Sequence, residues 1–394
     1  MKLSPSLIPR FNEDYGINDF VYSIRSTFRG DDIELTPLRN IFGNKNFFFT
    51  NTGRASLYVI LKALNLPKKS KIGVPLYSCT VVFDSIIKAG CIPYFIDMDL
   101  NEYTLDPEDL AKKVDGLNAV VVIHTFGRPA DMDRIKEVAG AVPVIEDCAH
   151  SLLSEYKGKQ TGTMGVASFF SLAKYLSNGG GGMTILNNDE LIEGFKGQFD
   201  RLTPYSLTNE IRNVFATYIY SFFYQKPWFG LFAPTGFYLR KIVDRDGGIK
   251  HFTVKKIKKS NFNLLFRKLN QFKENVELQR ENSFFLLKEL KDTSLILPYE
   301  NKDAYCNYYL FPIRFSNEKE RDEAHEYLRD MGVDTAKLYG ETPMKAKRFY
   351  GYGGDCSDSE VAANTLLIIP NYYTLAKDDL IKIADSIKKV EELL

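Results

Sequence analysis

Residues 168–188 read SFFSLAKYLSNGGGGMTILNN, with one lysine, Lys174, between an aromatic, apolar run and four consecutive glycines at 179–182. A lone ammonium on a strand-like segment, followed by backbone without side chains, has two readings. It is a surface residue beside a flexible turn, or a reactive amine beside a backbone that bends tightly around a bulky ligand. The rest of the chain has to separate them.

Length and composition narrow the frame. A chain of 394 residues is long enough for two or three domains with a sizeable core. With 44% hydrophobic and 26% charged residues it reads as an ordinary globular protein rather than a disordered one. Lys+Arg 51 against Asp+Glu 50 leaves a net charge of +1, so nothing favours wholesale nucleic-acid binding. The five cysteines, Cys79, Cys91, Cys148, Cys306 and Cys356, are scattered and form no CxxC pair. Neither a zinc site nor a disulfide framework is expected, and a cytoplasmic location is. The opening MKLSPSLIPRFNEDYG has no continuous apolar stretch of the secretory kind.

The first half alternates apolar runs with helical patterns. KIGVPLYS (71–78), CIPYFIDMD (91–99), NAVVVIHTFG (118–127) and VPVIEDCA (142–149) read as buried strands. Between them 53–65, 80–90, 106–114 and 131–140 read as helices. Such alternation predicts an α/β fold with a mostly parallel sheet covered on both faces. In the last third, 263–292 is a long amphipathic helix with Leu and Phe recurring at spacings of three and four. After it come YYLFPIRFS (308–316) and helical patterns at 318–332 and 377–394. The expected organisation is a large domain over 1–258 and a smaller C-terminal α+β domain over 259–394, entered by the long helix.

In open parallel sheets, ligands sit at the carboxyl ends of the strands. VIEDCAH leaves Glu146, Asp147 and His150 just past a buried strand, where Asp147 is either a helix N-cap or a buried functional carboxylate. TNTGRASL puts Thr52, Gly53 and Arg54 at a helix start, a plain N-cap or a phosphate site, since free amides and the helix dipole attract anions there. The combination is more specific than its parts. An anion site, then an acid after a later strand, then a lysine followed by glycines are the parts that hold pyridoxal phosphate. The phosphate needs amides and hydroxyls, the ring nitrogen a carboxylate, and the aldehyde an amine.

Here the sequence resembles the DegT/DnrJ/EryC1/StrS aminotransferases, which act mostly on nucleotide-linked keto sugars. The likeness runs through 51–66, 74–110, 120–139, 142–191 and 366–383, and the block from the acid to the glycines is its most specific part. The resemblance implies the fold type I architecture and a homodimer with active sites at the subunit interface. It also implies a role for each matching residue. Lys174 matches the lysine that bonds the cofactor aldehyde and later shifts a proton, and Asp147 the carboxylate that pairs with the ring nitrogen. His150 takes the place of the Gln or His near the phenolic oxygen. Gly53 and Arg54 match the Gly-Thr of the phosphate-binding helix start, and a guanidinium suits a phosphate as well as the usual threonine does.

The sequence also departs from the family pattern. Where the family has a phosphate-binding serine five residues before the lysine stands Phe169, so Ser171 is the choice for that hydroxyl and Ser168 the second. The aromatic that stacks on the cofactor falls at Cys79, with Tyr77 as a substitute. The usual GEGG turn is GGGG. Residues 200–258 match poorly, and the run 213–241 is dense in aromatics and holds the only tryptophan, Trp228. That run reads as buried core, dimer surface, substrate lid, or a peripheral membrane contact through 214–239, aided by Arg212, Lys226, Arg240 and Lys241. KKIKKSN (255–261) follows, where a partner-subunit residue reaches the other active site in the family. The expected function is amination of a nucleotide-linked keto sugar with an amino-acid donor, glutamate, in amino-sugar or cell-surface polysaccharide synthesis. The alternatives are a pyridoxal phosphate-dependent sugar dehydratase, whose family members carry histidine in place of the lysine, and a non-catalytic protein of a membrane assembly.

Overall fold

The structure is a computed structural model that describes residues 4–28, 35–232 and 248–394. Arg240, Lys241 and the end of the aromatic run lie outside the described residues.

The chain's apolar runs form a seven-stranded sheet. Its strands are β1 (Asn46–Thr50), β2 (Lys71–Pro75), β3 (Ile92–Ile96), β4 (Ala119–Ile123), β5 (Val144–Asp147), β8 (Ala167–Ser171) and β9 (Gly182–Leu186). The short β6 (Glu155–Tyr156) and β7 (Lys159–Gln160) form a hairpin that is joined by β10 (Ala304–Tyr305). The main sheet runs β1-β9-β8-β5-β4-β2-β3. β9 alone is antiparallel to its neighbours, and the others pair in parallel from β8 to β3. β4, AVVVI, shows why continuous apolar runs suit this sheet. Ala119, Val121 and Ile123 pack into one core with Leu57, Ile60 and Phe83, while Val120 and Val122 face Met132 and Ile135 on the other side. Both faces are covered by helices, so neither face of the strand can be polar.

Observed elements sit inside the expected runs. The helices are Gly53–Ala63, Thr80–Lys88, Pro107–Lys113 and Met132–Ala139, each with an extended or turn residue at its N-cap. Lys174 departs from the strand-like expectation. β8 ends at Ser171, where its ladders with β5 and β9 run out, and Lys174 stands on the short helix Leu172–Leu176. Ser177, with φ 44°, closes that turn in the left-handed region.

The long helix spans Lys259–Leu290. Its first half packs Leu265, Phe266, Leu269 and Phe272 against the β8–β9 end of the large sheet, and its second half gives Leu286 and Leu290 to a separate C-terminal core. That second core is built on β11 (Phe311–Arg314) and β12 (Leu366–Ile369), an antiparallel pair, with the helices Glu318–Asp330 and Lys377–Leu393. Ile8 from the N-terminus joins it and bridges to Val333. Among the described residues no helix is long and apolar enough to cross a membrane.

Candidate active site

The carboxyl end of β5, the start of the helix Gly53–Ala63 and the turn after β8 converge on one cavity of about 220 Å³. Gly53, Arg54, Cys79, Asp147, His150, Ser171 and Lys174 all line it. Residues spread over more than a hundred positions of sequence therefore meet in one place. Leu57, Val81, Val82, Ile123 and Phe169 supply apolar walls.

At the helix start, Thr52 is the N-cap, and its hydroxyl accepts from Ala55 N at 3.3 Å. The N–H groups of Gly53 and Arg54 are the first two of the helix and have no acceptor within it. Glycine is required nearby. A Cβ on Gly182 would lie 2.3 Å from Thr52 O and 2.7 Å from Gly53 N, and Gly180 and Gly181 have φ of +132° and +133°. The glycine run thus passes directly against the helix start in a conformation that side chains resist. This decides between the two readings of the run: it is a tightly bent, crowded backbone.

The strand β8 sorts the two serines by parity. Ser171 faces the cavity beside Phe169, whereas Ser168 is buried and its hydroxyl donates to Gly162 O at 2.8 Å. Ser168 is thereby spent on the fold.

Asp147 ends β5 with Oδ1 accepting from Ala149 N at 2.8 Å. Burial pushes its carboxyl up to about 6, against the opposing pull of Lys174, the Ala149 N–H and His124. His150 Nδ1 accepts from Phe126 N at 3.2 Å, so the proton of the neutral ring sits on Nε2. Nε2 lies 3.1 Å from Lys174 Nζ, and burial together with the Lys174 charge holds the imidazole well below its ordinary range. The Nε2–H thus points into the cavity beside the amine, which can accept from it only in its uncharged form.

Tyr77 corrects the sequence expectation. It is buried away from the cavity, its hydroxyl donates to Leu338 O at 2.9 Å, and its ring packs edge-on against Phe126 and Tyr339. Pro75 ends β2, and the irregular turn that follows points residue 77 inward and leaves Cys79 at the cavity. Sequence reasoning missed Tyr339. It lines the cavity beside Cys79, and its ring plane lies within 5° of the His150 ring at a centroid distance of 6.4 Å. Its hydroxyl is 3.4 Å from His150 Nε2. Nothing local in AKLYGE marks this tyrosine, because the fold brings it in from the C-terminal part of the chain.

Below the cavity, His124, Glu146 and Cys148 bring potential ligand atoms within 4.8 Å of one another. Those of His124 and Glu146 are already engaged. His124 Nδ1 accepts from Ala130 N, its Nε2 faces Glu146 at 3.0 Å, and Glu146 accepts from Gly162, Met164 and Gly165 N–H groups. The arrangement fastens the 161–165 loop rather than leaving a metal site.

The donor set fits pyridoxal phosphate. An amine faces the cavity for the aldehyde, a buried carboxylate for the ring nitrogen, and a helix start with a guanidinium and a hydroxyl for the phosphate. Fold and cavity together define the class: a pyridoxal phosphate enzyme of fold type I. The family model described as the DegT/DnrJ/EryC1/StrS aminotransferase family matches residues 35–205 and 253–388. The chain belongs to that family of pyridoxal phosphate-dependent aminotransferases. It is 24% identical over 407 residues to an uncharacterized protein of Methanocaldococcus jannaschii, covering 98% of each chain. It is 23% identical over 366 residues to the dTDP-3-amino-3,6-dideoxy-alpha-D-galactopyranose transaminase of Aneurinibacillus thermoaerophilus, covering 91% of this chain and 89% of that one. Among solved structures, the aminotransferase TlmJ from Streptoalloteichus hindustanus superposes with a TM-score of 0.78 at 20% identity, over 98% of this chain and 99% of that one.

Proposed function

We propose that the protein aminates the keto group of a nucleotide-linked sugar, taking the amino group from an amino acid, glutamate, for amino-sugar or cell-surface polysaccharide synthesis. The observation that carries this is the convergence of Lys174, His150, Asp147 and the Gly53 helix start on one cavity. A second cleft of about 480 Å³ shares Cys79 and Tyr339 with that cavity, and its bases Arg321, Lys337 and Lys345 are ion-paired with its acids Glu318, Asp322 and Glu341. A polar cleft of that size next to the cavity suits a substrate larger than an amino acid.

In this reading Lys174 holds the cofactor's aldehyde carbon, Asp147 its ring nitrogen, and Arg54, Ser171 and the first helix amides its phosphate. When bound, pyridoxal phosphate withdraws electrons from the carbon bearing the exchanged amine. Asp147 keeps a proton at the ring nitrogen by placing a buried negative charge beside it. His150 donates from Nε2 without bringing a charge of its own. Lys174, once free, is the amine placed to move a proton at the reacting carbon. Leu57, Val82 and Phe169 give the cavity apolar walls. The homodimer implied by the family supports the same reading, with 255–261 reaching toward the partner's site.

The test is mass spectrometry of reactions with a panel of nucleotide 3-keto and 4-keto sugars, each with glutamate or glutamine. The expected product carries an amine in place of the keto oxygen, and Lys174→Ala should abolish it. Products that have lost water instead of gaining an amine would point to the dehydratase. Failure to aminate any sugar, by untreated protein of which a separate borohydride-treated portion shows the cofactor bonded to Lys174, would overturn the substrate class.

A further inference from the structure

The stretch 206–252 lies between the two segments that match the family model, and its described part is built inside out. The helix Leu207–Tyr224 turns polar residues toward the protein. Glu210 accepts from the N–H groups of Lys259 and Ser260, at 2.9 and 3.3 Å, where the long helix begins. Asn213 donates to Asn261 at 3.0 Å, and Ser221 donates to Glu13 O at 2.5 Å. The opposite face carries Phe215, Ile219, Phe222 and Phe223, each 40% or more exposed. Positions 215, 219 and 222 follow helical spacing, so this is one continuous outer stripe. Trp228 and Phe232 extend it, with ring centroids 5.0 to 6.5 Å from those of Phe222 and Phe223. The helix Ile17–Thr27, also outside the matched segments, adds exposed Ile17 and Val21 and meets the stripe where Phe20 packs on Phe215 at 5.0 Å.

An ordinary surface helix buries its apolar stripe, and a contiguous exposed one marks a binding face. Charge distinguishes the occupants. Between 207 and 232 the only ionisable acid or base groups are Glu210, Arg212 and Lys226. Glu210 is buried and spent on the long helix, while Arg212 is exposed and Lys226 pairs with Asp379 at 2.6 Å. Arg25, exposed on the neighbouring helix, adds a further cation. The segment 207–232 therefore offers exposed cations and aromatics but no exposed carboxylate of its own. A symmetric contact with a second copy sets the same patch against itself and supplies no anion for those arginines. Anionic headgroups do supply one, and Tyr220 and Trp228 are the ring types that settle at headgroup depth.

We propose that this face docks the enzyme on an anionic phospholipid surface, lying in the interface without crossing it. Such docking places a sugar aminotransferase next to membrane-bound steps that consume its product.

Trp228 is the only tryptophan, so the emission of the unaltered holoenzyme reads the patch directly. With vesicles of phosphatidylglycerol and phosphatidylethanolamine, the protein should co-sediment, its emission should move to shorter wavelength, and brominated acyl chains should quench it. Binding should weaken as salt rises, because screening shortens from about 8 Å at physiological ionic strength to about 3 Å at 1 M. The triple variant Phe215→Ser, Ile219→Ser, Phe222→Ser should keep its cofactor absorbance and lose co-sedimentation. If that variant does not fold, quenching of Trp228 in the unaltered protein still decides. Unchanged emission and protein left in the supernatant at low salt overturn the proposal. So does a triple variant that is monomeric where the unaltered protein is dimeric, since a second copy would then cover the face.

Discussion

Asp147→Asn separates stability from function at one atom. In the cofactor-free protein burial raises the Asp147 carboxyl from its ordinary 3.8 to about 6. Between those values the folded state holds a proton that the unfolded chain has released, so raising the pH destabilises the fold. The cost is absent below 3.8 and complete above about 6. Worked through, the gap amounts to about 2 kcal/mol at pH 5 and about 3 kcal/mol at pH 8. Asparagine keeps the acceptor for Ala149 N and never ionises, so the cofactor-free variant should be more stable than the parent by those amounts. Urea unfolding of both proteins at pH 5 and pH 8, without cofactor, measures this. With cofactor the order reverses in function: lacking the charge that keeps the ring nitrogen protonated, the variant should lose about 100-fold or more in turnover. A stability difference that stays the same at both pH values would refute the electrostatic reasoning, and undiminished turnover would refute the role.

Two further pairs of variants test the shape of the cavity. Tyr339→Leu should weaken retention of pyridoxal phosphate by roughly fivefold, about 1 kcal/mol of aromatic contact, in a spectral titration. Tyr77→Phe should leave that titration unchanged while costing the fold about 1 kcal/mol for the hydrogen bond to Leu338. Gly182→Ala should destabilise by about 1–3 kcal/mol and release cofactor, because its Cβ meets the Thr52 backbone. Gly197→Ala, with nothing within 4 Å of its Cβ in the helix Glu190–Phe199, should instead stabilise by about 0.5–1 kcal/mol. Equal melting temperatures for the two alanine variants would refute the crowding at the glycine run.

The alternation of strands and helices was legible because Gly, Pro and Asp punctuate runs whose burial is nearly total, as β4 shows. That Ser171 and not Ser168 lines the cavity follows from the parity of β8, which groups residue 171 with Phe169. The choice between Cys79 and Tyr77 was not legible, because both follow the end of β2, where no period applies. Tyr339 could not be found at all, as only the packing of the C-terminal part against the large sheet brings it to Cys79. The aromatic run was legible only as a set of alternatives. Composition suggested a buried or interfacial segment, but the decision lay in which face of the helix held Glu210, Asn213 and Ser221. Those residues contact segments far away in sequence, the long helix and the N-terminal chain.

The two adjacent acids after β5 show how the fold assigns chemistry that sequence leaves open. Successive strand residues point to opposite faces. Glu146 therefore points away from the cavity, where burial raises its carboxyl but His124 and the N–H groups of Gly165 and Gly162 more than offset it, leaving it below its ordinary range. It is saturated, and its charge is committed to fastening a loop. Asp147, one residue on, accepts a single backbone hydrogen bond and faces the amine. Its charge is poorly compensated, which is why burial prevails and the carboxyl rises. An under-satisfied carboxylate at a cavity wall is a poor structural element and a strong partner for a cationic ring nitrogen. With the cofactor ring nitrogen beside Asp147, as proposed, that missing second partner would be supplied, and stability given up in the empty protein would become affinity in the loaded one.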